Sequence, residues 1–538
     1  MKDQSTNIEE KEVANQSGGL VFKLGKWSAL DRYLIMGSST KYTSGKAGAL
    51  DNKNLIACVA EDGVRVVDTA VAISEQGRAP KNDYAIYAIA YCMKMGDLTT
   101  RRAAGAAAHR VCRIGTHLFQ LASHIDDLGG WGSIVKRTLQ NWYLKKDAKA
   151  LAYQMIKYQK RVGWSHRDIL RKVRPVPPTE DHKALFKWAT QGDVPDGPGP
   201  ISQVWAAETL KAEEDVGEAV NLIKEFRLPR ECVPTWHRKE MAVQKAALEN
   251  MPMNAMIRSL STMSASGLLL KDREAVDLIV SRFTDEGYIK KSRIHPLNIL
   301  NSANIYSRGT GDRGSLTWTP VDAVSKALGD MFYKAFQNVL PSDKSVCIAL
   351  DVSGSMHSPC AGLSVTCRLA SAAMAMVTVH QELRTEVIGF TSGGASRFSS
   401  RHTKEYTWND PSLGVSGLNI QPSMSLSQIH EYVSGMPFGG TDCAAPILWA
   451  MKEKKRFEVF VIYTDNETWA GKISPYKALQ EYRRVMAVPA RLVVVAMDGT
   501  DFTIANPEDP GMMDIVGCDT ATPRLISDFA SMNIAQQF

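Results

Sequence analysis

Residues 348–359 read IALDVSGSMHSP: an apolar run, then an aspartate and two serines at alternate positions, Asp351, Ser353 and Ser355, then a turn. Around it, short β-branched runs alternate with helical patterns. SVCIAL starts at Ser345, an Ala- and Met-rich helix follows over 363–383, then EVIGF, FEVFVIYTD, a helix near 475–487, and RLVVVAM. Near-continuous apolar strands separated by helices predict a doubly wound α/β domain whose parallel sheet is covered on both faces. Such folds bind ligands at the carboxyl edge of their strands. Asp351 falls at that edge, and Asp465, in YTDNE, falls at the equivalent edge of another strand.

A hard dication takes about six oxygen ligands, and one or two carboxylates with hydroxyls and water meet that demand. Asp351, Ser353 and Ser355 supply three of them, and Thr441 follows the double glycine of FGGTDCAAP. Asp and Ser after a strand also cap helices and fix turns, but Thr441 and Asp465 at their positions outweigh that alternative. The constellation resembles the metal-ion-dependent adhesion site of von Willebrand factor A domains, with Asp351, Ser353, Ser355, Thr441 and Asp465 matching its five positions in order. The resemblance implies a divalent cation, Mg²⁺ in the first place, whose coordination is completed by an acidic group of a ligand. The site is then a binding site and not a hydrolytic one. His357 lies just outside the motif and reads as a surface residue, and the motif positions no general base.

At 538 residues and 44% hydrophobic, the chain is too long for one core and too apolar for disorder. Two domains are expected after a flexible amino terminus of residues 1–18: a helical one over 19–340 and the α/β domain over 341–538. Residues 341–538 hold 16 Lys and Arg against 20 Asp and Glu, whereas 48 stand against 37 before them. A partner attracted by positive charge therefore belongs to the first domain. Nine scattered cysteines with no C-x-x-C pair point to a reducing compartment. The polar start MKDQSTNIEEKEVANQSGG and the absence of an 18-residue apolar run predict a cytoplasmic protein with no membrane partner.

Residues 20–335 show helical periodicity, as in DYAIYAIAYCMKM, RRAAGAAAHRVCRIGTHLFQLASHI and DAKALAYQMIKYQKR, broken by Gly, Pro and Ser. An α-solenoid of helix pairs follows, with PDGPGP at 195–200 as an exposed loop. Residues 136–174 carry twelve Lys or Arg and two acids, Asp147 and Asp168. The spacing places Lys157, Lys160 and Arg161 on one face of a helix ending near Gly163. Ser165 and Asp168 read as the cap of a second helix carrying Arg167, Arg171 and Arg174. Arg110, Arg113 and His117 repeat the spacing upstream. Such faces neutralise phosphates, whereas the interleaved Trp142, Tyr143, Tyr158 and Trp164 read as core more readily than as platforms for bases.

Six segments together resemble the Ro family of RNA-binding ring proteins, which carries the TROVE module: SGGLVFKL, RYLIMGSSTKYTSG, RIGTHLFQL, KYQKRVGWSHRDILRK, RIHPLNIL and YSRGTGDRGSLTWTP. The resemblance implies an all-α ring of HEAT-like repeats followed by the A domain. It also implies Y RNA-like small noncoding RNA on an outer basic surface and misfolded structured RNA held by a single-stranded 3′ end at the central hole. Lys157, Arg161 and Arg174 match Y RNA contacts, with arginine at the last position where the family often has histidine. Composition points to a bacterial or phage-type relative, for which the resemblance implies an exoribonuclease tethered through the RNA. The expected function is a non-enzymatic RNA scaffold in noncoding RNA quality control and stress survival. Its rivals are a protein adaptor for which RNA is incidental, and a metal-dependent nuclease at Asp351 and Asp465, which lacks the dense carboxylate cluster two-metal cleavage needs.

Overall fold

The computed structural model describes residues 12–15, 18–37, 53–196, 199–312, 314–336, 341–393, 409–421, 424–434 and 439–531. Residues 38–45 of RYLIMGSSTKYTSG, Gly197 and Pro198 of PDGPGP, Arg313, Phe438 and most of residues 1–18 lie outside them. The first described segment departs from the flexible terminus expected: Glu12–Ala14 form strand β1, antiparallel to β2 (Leu20–Lys23).

Helices then follow one another: α1 (Lys26–Met36), α2 (Lys53–Gln76), α3 (Asp83–Met95), α4 (Leu98–Val111), α5 (Gly115–Asp127), α6 (Ser133–Leu144) and α7 (Ala148–Lys157). The long pattern at 101–125 breaks at Cys112–Ile114, where the Val111 carbonyl accepts from Asn82 Nδ2 and the Gly115 N–H donates to Gln154. After a hairpin of β3 (Lys160–Arg161) and β4 (Trp164–Ser165) comes α8 (His166–Val173), and further helices run from Glu180–Gln191 to Asp322–Lys334.

The helical array returns on itself. The helix Pro296–Arg308 meets the turn between α2 and α3, where His295 Nε2 donates to the Arg78 carbonyl at 3.1 Å and Asn298 Nδ2 to that of Pro80 at 3.2 Å. His295 Nδ1 accepts the Leu297 N–H at 3.1 Å, so the imidazole is neutral, and burial pulls it down to about 4.

The remaining chain builds a six-stranded sheet from β5 (Ser345–Asp351), β6 (Arg384–Phe390), β7 (Val415–Gly417), β8 (Val459–Thr464), β9 (Arg491–Ala496) and β11 (Met512–Val516), with the two-residue β10 (Phe502–Thr503) outside it. The order is β11-β9-β8-β5-β6-β7, parallel except for the edge strand β7. Helices Cys367–Gln381 and Pro475–Met486 cover its faces, as the sequence pattern predicts. The domains are bolted together at the closure of the array: Arg78 Nε pairs with Asp519 Oδ2 at 3.0 Å, Lys81 Nζ donates to the Gly362 carbonyl at 2.8 Å, and Asn301 Oδ1 accepts from Ser364 and Val365. On the other side β10 pairs with β2, and buried Arg32 bonds Asp514 and the carbonyls of Thr500 and Phe502.

Candidate nucleic-acid interface and candidate metal centre

Helix α7 stops at Lys157, and the chain turns through Val162 (φ 46°) and Gly163 (φ 83°). Two successive left-handed residues make a tight hairpin turn, so Lys160 and Arg161 stand exposed on a β-hairpin and not with Lys157 on one helix face. The register pairs Lys160 with Ser165 and Arg161 with Trp164. Ser165 and Asp168 then form the expected capping box: the Ser165 N–H donates to Asp168 Oδ2 at 2.9 Å, and the Asp168 N–H to Ser165 Oγ at 3.4 Å.

Arg167 and Arg171 are exposed on α8, and Arg174 caps its end in the left-handed region (φ 47°), its Nε donating to the Arg171 carbonyl. Among the described residues no carboxylate pairs with Lys160, Arg161, Arg167, Arg171 or Arg174, whereas Lys172 reaches Asp126 at 3.5 Å. The upstream trio behaves differently from expectation. Arg110 holds Glu75 with two bonds of 2.8 and 2.6 Å, so its charge is already matched. Burial, with Arg113 beside it, pulls His117 down to about 4, which removes it from the cations. Arg113 remains charged and is steadied by Ser74 Oγ at 3.0 Å and the Arg110 carbonyl at 2.7 Å.

Lys157, Arg161, Arg113 and His117 line one cavity of about 900 Å³, together with Lys81, Arg230, Arg238, Arg258 and Arg293, against two carboxylates, Asp83 and Glu231. The nine expected contacts thus divide. Lys157, Arg161, Arg113 and His117 face the cavity, Lys160, Arg167, Arg171 and Arg174 stand at the surface, and Arg110 is spent on Glu75. Sequence spacing missed Arg230, Arg238, Arg258 and Arg293, which no local pattern joins. Trp142 and Tyr143 are core residues, bonded to the Cys112 carbonyl and His166 Nδ1. Tyr158 lies on the cavity wall, and Trp164 packs against Trp131 with its centroid 5.2 Å away.

In the α/β domain, β5 and β8 end side by side and bring Asp351 and Asp465 to one sheet edge, both buried. Asp351 Oδ1 accepts the Ser353 N–H at 2.8 Å, its Oδ2 accepts from Thr464 Oγ1 at 2.7 Å, and Ser353 Oγ lies 3.1 Å from Ser355 Oγ. Buried Arg368, unremarked in the sequence, holds this loop through the carbonyls of Val352 and Ser353. The Thr441 loop is tied to the end of β6, with Thr391 Oγ1 donating to the Gly440 carbonyl at 2.7 Å, and to the loop after β8, with Trp469 and Ala470 N–H donating to the Thr441 carbonyl at 3.1 and 2.9 Å. Burial, and then the Asp465 charge beside it, push the Asp351 carboxyl well above the usual carboxylate range. Among the described residues, Asp465 Oδ2 is buried with no hydrogen-bond partner. A cluster of carboxylates and hydroxyls with one orphaned oxygen fits a hard dication, which would relieve both strains.

Comparison with known proteins covers nearly the whole chain. A model of the TROVE domain matches residues 13–227 and 224–344, and one of the Ro60 vWA domain matches 345–530. The RNA-binding protein RO60 of Deinococcus radiodurans is 35% identical, over 98% of this chain and 97% of that protein. Its namesake in Caenorhabditis elegans is 31% identical, over 99% and 92%. The crystal structure of the Deinococcus radiodurans RO (RSR) protein superposes with a TM-score of 0.70 at 33% identity, covering 94% of this chain and 99% of that one.

Proposed function

Because this chain belongs to the Ro family, its TROVE domain followed by a Ro-type von Willebrand factor A domain, we propose that it is a non-enzymatic RNA-binding scaffold. It takes Y RNA-like small noncoding RNA on the basic surface of α8 and the hairpin, and admits the single-stranded 3′ end of misfolded RNA to the cation-lined cavity. The observation that carries this is the position of Arg161: it lines the cavity and stands exposed on the hairpin beside Lys160, so one run of phosphates can pass from the surface cations inward. Side chains with no carboxylate partner bind phosphates, releasing the counterions condensed on the RNA, without first breaking an ion pair.

Asp351, Ser353, Ser355, Thr441 and Asp465 would hold Mg²⁺, which when bound supplies an electrophilic position for an acidic ligand group. The same reading makes the protein cytoplasmic, a participant in noncoding RNA quality control, with an exoribonuclease reached through the bound RNA. Among the described residues no helix is long and apolar enough to cross a membrane.

Crosslinking and sequencing of RNA from the protein's own cells, for wild type and the Lys157→Ala, Arg161→Ala, Arg174→Ala triple variant, tests the proposal. A discrete structured RNA lost in the variant is expected. Broad recovery unchanged by the substitutions would overturn it in favour of a protein adaptor, and cleavage of that RNA abolished by chelator and by Asp351→Ala would make the protein a nuclease.

A further inference from the structure

Trp469 stands beside the candidate metal centre with 51% of its surface exposed. Its place is fixed from both sides. Its own N–H donates to the Thr441 carbonyl at 3.1 Å, and its ring lies so close over Gly440 that a Cβ there would come within 2.5 Å of Trp469 Cζ2. Before it, the Thr468 carbonyl accepts from Asn15 Nδ2 at 2.6 Å and Thr468 Oγ1 accepts the Cys443 N–H at 3.2 Å. Gly19 presses on the same peptide, where a Cβ would meet the Thr468 oxygen at 1.8 Å and Trp469 Cα at 2.9 Å. A large aromatic half in water, on backbone held by these contacts, has little ordering cost left when a partner covers it, and Trp is among the side chains enriched as anchors of protein interfaces.

We propose that this face of the A domain is a docking surface for a protein segment that presents a carboxylate next to a large apolar side chain, the carboxylate directed to the metal and the apolar group to Trp469. The proposal rests on the metal-site reading above and adds the apolar half of the recognition. Charge favours protein over RNA here: residues 341–538 carry 20 acids against 16 bases, and Glu467 lies two residues from Trp469. A phosphate chain would meet net repulsion on leaving the metal.

The test uses the full chain and two fluorine-labelled carboxylates, 4-fluorophenylacetate and fluoroacetate, observed by ¹⁹F NMR with Mg²⁺ present, alongside a separate Mn²⁺ titration. Saturable binding of 4-fluorophenylacetate, abolished by EDTA and at least about fivefold tighter than that of fluoroacetate, is expected. Trp469→Ala should erase that preference with Mn²⁺ affinity unchanged, and Trp469→Phe should restore most of it. Equal binding of the two probes, or a preference that survives Trp469→Ala, overturns the proposal while leaving the metal site standing. A wild type that takes up no Mn²⁺ overturns the metal-site reading itself and this inference with it. Displacement of the bound 4-fluorophenylacetate by an octauridylate would reassign the face to RNA.

Discussion

His295 donates a hydrogen bond to the carbonyl of Arg78, 217 residues earlier, and the guanidinium of that same arginine grips Asp519. One imidazole therefore joins the last helices of the array to the first at the point where the A domain is also attached. It is held neutral, its folded value near 4 lying below its ordinary 6.5. The unfolded chain binds the proton that the folded one refuses, so this contribution is present above pH 6.5 and is lost as pH falls from 6.5 toward 4. His295→Gln keeps a donor toward Arg78 and removes the titration. The difference in unfolding free energy between wild type and variant should change by about 1.4 kcal/mol per pH unit in that window and be flat above it, as measured by urea unfolding from pH 4.5 to 8.

The contrast between Arg110 and Arg171 gives a second expectation. Arg171→Ala should weaken binding of a structured RNA and lower the salt slope of log K by about 1. Arg110→Ala should leave the slope unchanged, because Glu75 already matches that charge. Glu75→Gln frees the guanidinium and should raise the slope. Filter binding between 50 and 300 mM salt reads all three.

Val162 holds a left-handed conformation that a β-branched residue adopts only at a cost of about 1–2 kcal/mol. Val162→Asn should relieve roughly 1 kcal/mol of it and slow amide exchange across residues 160–165 about fivefold. Unchanged exchange would mean that the left-handed turn at this position carries no strain for asparagine to relieve.

At the metal centre, Asp465→Asn removes the charge that faces Asp351. Without divalent ions the variant should melt about 2–4 °C higher than wild type, corresponding to about 1 kcal/mol. With Mn²⁺ it should lose at least about tenfold in affinity and all metal-induced stabilisation. Calorimetry with and without metal separates the two effects.

How far the sequence could be read depended on where the determining contacts lie. Strand polarity alone places Asp351 and Asp465 at one sheet edge, and the Ser165–Asp168 box is written within four residues, so both were legible. The hairpin after Lys157 was not, because Val-Gly is a weak turn signal and KYQKR continues a helical rhythm. The fate of Arg110 depended on Glu75 from a different helix. Arg230, Arg258 and Arg293 converge on the cavity only when the array closes, and no spacing along the chain records that closure. Likewise, Glu12–Ala14 become a strand through pairing with β2, which in turn pairs with β10, far along the sequence.

That last pairing sets an order of events during synthesis. Lys23 finds its partner in Phe502, and Asn15 Nδ2 its acceptor in Thr468, 453 residues later. The helical array can fold as it emerges, but at about 5–20 residues per second β2 keeps an open edge for roughly 25 to 95 seconds until β10 arrives. A ribosome that stalls before residue 500 therefore releases a product with an unpaired strand edge, ready to be recognised by a chaperone or to pair with another chain.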